Sequence, residues 1–178
     1  MIPLDKASAR KAGLAARAAL SLEQRQRYDS SIADQAIALI RFYGVIGCYV
    51  SMRDEAGTET ILDWCFASGK TVAVPKTAGG TLEFHEIHSR RDLVPGHFGV
   101  LEPAGGRMIE PEQIEMMLVP LSAFDAAGNR TGYGKGYYDS ILKRCPRKAG
   151  LAYPQQQVEQ IDADPWDVRL DQVIIAKD

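Results

Sequence analysis

Five short apolar runs, separated by segments with helical patterning, restrict the fold of this chain more than any other feature. Each run has the length of a buried strand, and two such strands joined by a helix form a parallel β-α-β unit. Helices must then cover both faces of the sheet. The sequence therefore predicts an α/β fold, a three-layer α/β/α domain with a mostly parallel sheet. The runs are VIGCYV (45–50), TVAVP (71–75), MMLVP (116–120), AGLAY (149–153) and QVIIA (172–176).

Helix start and stop residues divide the segments between these runs. Residues 5–20 consist mostly of good helix formers, and Ser21 with Gln24 has the capping-box spacing that begins a second helix. Gly44 is predicted to end that helix in a left-handed conformation, and Thr58 to cap a third helix that stops near Gly69. A fourth helix is predicted over 137–144. TLEFHEI (81–87) is predicted to be an edge or hairpin strand, and 90–111 a long connection with little regular structure.

Length, charge and cysteine content bound the class of protein. A chain of 178 residues predicts one domain over 1–178. The net charge of −2 gives no overall field for holding a polyanion, so no nucleic-acid partner is expected. Three cysteines without CxxC spacing, Cys48, Cys65 and Cys145, predict neither a disulfide framework nor a zinc site. The absence of a signal peptide or a long apolar run predicts a cytoplasmic protein without a membrane partner.

The stretch DAAGNRTGYGKGYYD (125–139) carries the chemistry, because it follows a buried strand and leads into a helix. Glycines at 128, 132, 134 and 136 allow positive φ and close backbone approach, which leaves loop N–H groups free to bind an anion. Arg130 adds a planar fork and Lys135 a point cation. The loop matches neither the Walker A pattern nor GxGxxG. It is predicted to cradle a phosphate.

The sequence resembles the 5-formyltetrahydrofolate cyclo-ligase family, also called 5,10-methenyltetrahydrofolate synthetases. The resemblance is carried by VPLSAFDAAGNRTGYGKGYYDSILKR (119–144), SMRDEAGTETI (51–61), GVLEP (99–103), Lys6-x-x-x-Arg10 and DQVI (171–174). It implies a fold similar to sugar-phosphate isomerases and CoA-transferases. It also implies an enzyme that uses ATP and Mg²⁺ to cyclise 5-formyltetrahydrofolate to 5,10-methenyltetrahydrofolate, releasing ADP and phosphate.

Carried over residue by residue, the resemblance implies a set of site residues. Lys6 and Arg10, which are i and i+4 on one helix face, are implied to bind ATP with Arg130, Thr131, Gly132, Tyr133, Gly134, Lys135, Gly136, Tyr137 and Tyr138. Val50 and Glu55 are implied to bind the folate, together with Tyr133, Gly134, Lys135, Gly136 and Tyr137. Catalytic roles fall to Arg130, Lys135 and Tyr137, and magnesium is implied at Asp139 and Asp171. The partners are then small molecules, and the chain is expected to be a monomer or weak homodimer.

Two other interpretations stay open at the level of sequence. One is an isomerase or CoA-transferase relative on the same fold, which would need no ATP hydrolysis. The other is a noncatalytic nucleotide- or RNA-binding module that uses the loop cations and tyrosines as a stacking surface. Net acidity argues against RNA. ADP release that depends on 5-formyltetrahydrofolate would distinguish all three, because only the cyclo-ligase couples the two substrates.

Overall fold

The computed structural model describes residues 2–178, and a seven-stranded sheet lies at its centre. The helices are α1 (Lys6–Ala18), α2 (Leu22–Ile40), α3 (Glu59–Ala67) and α4 (Tyr137–Leu142). The strands are β1 (Val45–Cys48), β2 (Thr71–Ala78), β3 (Thr81–Ile87), β4 (Leu93–Pro95), β5 (Leu101–Pro103), β6 (Met108–Ile109), β7 (Met116–Val119), β8 (Ala123–Phe124), β9 (Arg130–Thr131), β10 (Lys148–Ala152) and β11 (Gln172–Ile175).

The sheet has the order β11-β10-β7-β1-β2-β3-β6. The first five strands in this order are parallel, and β3 and β6 are antiparallel to their neighbours. The mostly parallel α/β architecture predicted from the apolar runs is confirmed. The likeness to sugar-phosphate isomerases and CoA-transferases stays a prediction.

Alternation along the strands divides the core into two apolar layers. In β7, Met116 and Leu118 face the layer that contains α2 and α3, whereas Met117 and Val119 face the layer that contains α4. Burial on both faces explains why this run is apolar without interruption, since neither side of a central parallel strand meets water. Helices therefore cover both sides of the sheet, as predicted.

Several local predictions from the sequence are wrong. Gly44 does not adopt a positive φ. Instead α2 ends at Ile40, its C-cap Arg41 lies in the right-handed region, and the N–H of Gly44 donates to Glu115 Oε1 at 2.7 Å. Thr58 precedes α3 but makes no side-chain cap, because its hydroxyl accepts from Ser51 N and donates to Tyr49 O. The connection over 90–111, predicted to have little regular structure, contains the β4–β5 hairpin and β6. As one of the two predicted options, β3 forms a hairpin with β2, while β6 is the edge of the sheet.

Within residues 2–178, no helix combines the length and the apolarity that crossing a bilayer requires.

Candidate functional site

The candidate site lies where the chain leaves two neighbouring strands toward opposite faces of the sheet. β1 continues through α3 to β2, while the adjacent β7 continues through α4 to β10. The loops that leave the carboxyl ends of β1 and β7 therefore face a shared crevice, which is where open α/β sheets bind ligands. The loop after β1 carries Glu55, and the chain after β7 carries the glycine-rich stretch.

The glycine-rich stretch forms a small hairpin, β8–β9, followed by a loop that enters α4. Gly134 and Gly136 have φ of 83° and 71°, and Gly136 precedes the first residue of α4. Gly128 also has a positive φ, of 89°. Gly132 does not have a positive φ, so the conformational reason given for the four glycines does not apply to Gly132. The carbonyl oxygen of Gly132 accepts from Arg10 Nε at 2.9 Å and from the Ser122 hydroxyl at 2.8 Å.

A cleft of about 290 Å³ opens over this loop. Its lining brings together two helix α1 cations, Lys6 and Arg10, with every residue of the segment 130–138. The residues implied to bind ATP are thus neighbours in space, although 120 positions or more separate the two groups in sequence. Binding itself stays a prediction.

Lys6 is held by carboxylates at the edge of the cleft. Its ammonium contacts Asp164 Oδ2 at 2.8 Å and also pairs with Asp167. Burial lowers the pKa of Lys6, but these two pairs outweigh burial and the pKa is raised overall. Lys6 therefore stays protonated and can exchange a carboxylate for a phosphate oxygen.

Arg130 and Lys135 differ in how firmly they are fixed. The half-buried Arg130 donates from Nε and Nη2 to Pro120 O at 3.2 and 2.9 Å, and its guanidinium lies 5.6 Å from the Tyr138 ring centre. Burial lowers the pKa of Arg130, yet an arginine remains charged in proteins. Lys135 is exposed, and its ammonium lies 5.6 Å from the ring centre of Phe98. Arg130 is therefore a fixed cation and Lys135 a movable one.

Glu55 is a buried carboxylate within the loop 51–58, with only 9% of its surface exposed. Its Oε1 accepts from Met52 N at 2.9 Å, and its Oε2 accepts from the Tyr133 hydroxyl at 3.2 Å. Burial raises the pKa of Glu55, opposed by the Met52 N–H and by the charge of Arg17. The Tyr133 contact joins the loop implied to bind folate to the glycine-rich loop. Val50, the other residue implied to bind folate, is half-buried against the core beside β1. Neither Glu55 nor Val50 lines the cleft itself.

The two aspartates implied to bind magnesium are not brought together. Asp139 is exposed on the first turn of α4 and lines the cleft. Asp171 instead precedes β11, where its carboxylate accepts from Lys148 N at 2.8 Å, and it lines a second cavity of about 330 Å³. Asp167 is the other carboxylate in the lining of the cleft. Residues 2–178 contain no cluster of three or more His, Cys, Asp or Glu side chains suited to a metal ion.

Sequence reasoning missed three residues at this site. Arg17 is buried and contacts Tyr133, Asp167 lines the cleft, and Phe98 projects from the 90–111 connection next to Lys135. Arg17 lies seven positions after Arg10, so helical spacing could have placed it on the same stripe of α1. Asp167 lies four residues before Asp171, and the sequence alone does not show which of the two aspartates lines the cleft.

The fold and the site together define an α/β protein with a glycine-rich, cation-lined loop and a buried carboxylate at the switch point of its sheet. The model of the 5-formyltetrahydrofolate cyclo-ligase family matches residues 4–176, and the chain belongs to that family.

Individual relatives agree with this assignment. The 5-formyltetrahydrofolate cyclo-ligase of Mycoplasma pneumoniae is 31% identical over 96% of this chain and 98% of its own length. The mouse (Mus musculus) protein of the same name is 30% identical, covering 88% and 86% of the two chains. Among solved structures, the 5,10-methenyltetrahydrofolate synthetase of Aquifex aeolicus has a TM-score of 0.87 at 32% identity, covering 97% of this chain and 90% of its own. That of Mycoplasma pneumoniae has a TM-score of 0.79 at 28% identity, covering 96% and 98%.

Proposed function

We propose that this chain is the enzyme its family membership indicates, a ligase that converts 5-formyltetrahydrofolate to 5,10-methenyltetrahydrofolate with ATP as co-substrate. The observation that carries the proposal is that the glycine-rich loop lines a cleft with four cations, Arg130 and Lys135 of the loop and Lys6 and Arg10 of α1, and that Tyr133 of the same loop donates a hydrogen bond to the buried carboxylate of Glu55. A phosphate donor and a folate bound at these two places would be adjacent, as phosphoryl transfer between them requires.

The reaction explains why a phosphate loop is needed. The formyl carbon is a poor electrophile. Attack of the formyl oxygen on the γ-phosphate of ATP displaces ADP and creates a phosphorylated oxygen that can leave. N10 then bonds to that carbon and loses its proton, and phosphate departs with the former formyl oxygen. The protein contributes positioning and charge neutralisation more than covalent chemistry.

The cations of the cleft suit different parts of this task. Arg130 is anchored on Pro120 O and provides a fixed charge at the base of the loop, while the exposed Lys135 can follow the phosphoryl group as it moves. Lys6 and Arg10 also line the cleft and would bind phosphate oxygens from α1. Tyr137, the first residue of α4, is proposed as a hydroxyl donor in the same cleft.

The folate is proposed to bind against Glu55 and the loop segment 133–137, with Val50 on the apolar side. A carboxylate accepts hydrogen bonds from the amino and N–H groups of a pterin ring, and Glu55 is held in place by Met52 N and Tyr133. This arrangement supports a role for Glu55 in recognition rather than in proton transfer.

The cleft fits a magnesium ion only if the substrate supplies most of the ligands. Asp139 and Asp167 are its two lining carboxylates, and Mg²⁺ bound to nucleotides typically uses one or two carboxylates with phosphate oxygens and water. We propose that Asp139 and Asp167 hold the ion, which would neutralise charge on the transferred phosphate. The implied role of Asp171 rests on the resemblance alone.

We further propose a single domain over 1–178 that acts in the cytoplasm as a monomer or weak homodimer, without nucleic-acid or membrane partners. The isomerase or CoA-transferase alternative is not favoured, because the family and both solved relatives are named for the cyclo-ligase reaction. The noncatalytic alternative is disfavoured for the same reason.

One assay tests the proposed activity. Purified chain is mixed with ATP, Mg²⁺ and 5-formyltetrahydrofolate, and methenyltetrahydrofolate is followed by absorbance while ADP is measured separately. We expect one ADP per methenyl product and no ADP without the folate. ADP release that does not depend on the folate, or methenyltetrahydrofolate formed without ATP, would rule the proposal out.

A further inference from the structure

Arg17 is a buried cation of α1 that belongs to none of the motifs identified from the sequence. Only 4% of its side chain is exposed. Its Nη2 donates to the Tyr133 hydroxyl at 2.9 Å and lies 2.9 Å from Asp54 Oδ1, and its Nη1 donates to Leu121 O at 3.4 Å. One side chain thus contacts both the glycine-rich loop and the loop that carries Glu55.

The hydrogen bonds around Tyr133 run in one direction. The Tyr133 oxygen accepts from Arg17, so its own proton is free to be donated to Glu55 Oε2. The second oxygen of Glu55 is occupied by Met52 N. Arg17 therefore orients the hydroxyl that holds Glu55, and it does so without touching Glu55.

The position of Arg17 is costly for the fold. Its Nε is buried and has no hydrogen-bond partner within residues 2–178. A buried charge with an unmade hydrogen bond weakens a fold, and an apolar side chain of similar volume would often pack as well. Packing alone therefore does not account for an arginine here.

We propose that Arg17 is a positioning residue, which acts through Tyr133 to fix Glu55 beside the glycine-rich loop and so links the phosphate loop to the folate-binding loop. The inference rests on the proposed function, because it assigns Glu55 to the folate. It predicts that Arg17 governs how well the folate is used and has less influence on ATP.

Arg17 also acts on Glu55 by charge. Burial raises the pKa of Glu55, and the nearby positive charge of Arg17 lowers it, while Asp54 raises it. The titratable groups around Glu55 are Asp54 in its own loop, Arg17 on α1, Tyr133 in the glycine-rich loop, and Tyr49 and Tyr138 behind it. Arg17 is the cation among these groups, so its removal should raise the pH at which Glu55 titrates.

Arg25 offers a matched control on the neighbouring helix. It holds the same loop through Asp54 O at 2.6 Å and also donates to Arg17 O at 3.0 Å, but both contacts are with backbone oxygens. Arg25→Met should therefore loosen the loop without removing the link through Tyr133. A purely structural role for Arg17 would make the two variants behave alike.

The first experiment follows the Glu55 carboxyl carbon by NMR in the full chain labelled with ¹³C-glutamate, across a pH titration. We expect Arg17→Met to raise the midpoint by about one pH unit, the usual effect of losing a nearby opposite charge. Arg17→Lys should restore most of the shift, and Arg25→Met should leave the midpoint in place. A midpoint unchanged by Arg17→Met would overturn the inference.

The second experiment divides the kinetic effect between the substrates. We expect Arg17→Met to raise KM for 5-formyltetrahydrofolate about tenfold, the cost of about one hydrogen bond to a charged group, with KM for ATP changed less than twofold. Tyr133→Phe cuts the same link but keeps the positive charge of Arg17, and it should raise the folate KM in the same direction. Equal changes in both KM values for both variants would overturn the inference.

The two readouts keep this inference separate from the proposed function. The NMR titration needs no turnover, so it tests the link between Arg17 and Glu55 even if the wild-type chain forms no methenyl product. A wild-type chain without that product would instead refute the proposed function.

Discussion

The substitution Gly13→Ala tests whether the close approach of α1 to the chain after β7 sets the geometry of the cleft. A Cβ built on Gly13 would lie 1.9 Å from Ser122 O and 2.9 Å from the Ala123 Cβ. Since ordinary contact begins near 3.4 Å, Gly13→Ala must move the two backbones about 1.5 Å apart. Arg10 and Arg17 lie on the same stripe of α1, so their 2.9 Å hydrogen bonds to Gly132 O and the Tyr133 hydroxyl would lengthen with it.

The expected magnitudes separate activity from stability. Overpacking costs about 1–3 kcal/mol, while alanine in a helix gains about 1 kcal/mol over glycine, so the net loss of stability is about 0–2 kcal/mol. For a chain of this size that lowers the Tm by at most about 8 °C. A displacement of about 1 Å in a site can cost about 100-fold in rate, so kcat/KM should fall by about that factor.

The assay combines initial rates of methenyltetrahydrofolate formation with a thermal melt of each variant. Gly105→Ala is the matched control, because a Cβ at Gly105 meets nothing within 4 Å and its φ is not positive. A Gly13→Ala chain with the wild-type rate and a raised Tm would refute the reasoning, since helix propensity alone predicts that result.

Five further substitutions test the site. Lys135→Ala should lower kcat/KM at least about 100-fold without loss of Tm. Arg130→Ala should lower both kcat/KM and Tm, because only Arg130 is packed and hydrogen-bonded to the backbone. Equal Tm values for the two variants would contradict this. Glu55→Gln should raise KM for 5-formyltetrahydrofolate more than KM for ATP, and the opposite order would place Glu55 at the wrong substrate. Asp139→Asn should shift the Mg²⁺ dependence of the rate to higher concentrations, whereas Asp171→Asn should not. An unshifted curve for Asp139→Asn would mean that Asp139 only stabilises the start of α4.

The sheet could be predicted because each central strand carries its own pattern. Runs such as TVAVP and MMLVP are apolar on both faces, and the helices between them have caps and spacing that are visible locally. The short elements β4, β5 and β6 could not be predicted in this way. They are two or three residues long and gain their pairing from neighbouring strands, which local sequence does not encode.

The site could be predicted only in part for a related reason. The glycine-rich loop is contiguous, so its glycines and cations are recognisable together. The contact between Arg17 and Tyr133 spans 116 positions, and the contact between Tyr133 and Glu55 spans 78. Such pairs depend on strand order, which places the loops after β1 and β7 side by side.

The buried charge of the Glu55 carboxylate should lower the stability of the folded chain, and the pH dependence of Tm tests this. Burial raises the pKa of Glu55 above its ordinary value of 4.5, so the folded chain holds this proton more tightly than the unfolded chain does. The stabilisation from that proton is present at acid pH and is lost as the pH rises through the folded pKa. Glu55→Gln keeps the size and an acceptor oxygen but carries no charge. We therefore expect a higher Tm than wild type at pH 7–8, with the difference shrinking toward pH 4. A Tm difference that is constant across this range would mean that the Glu55 charge is fully compensated by Met52 N, Tyr133 and Arg17.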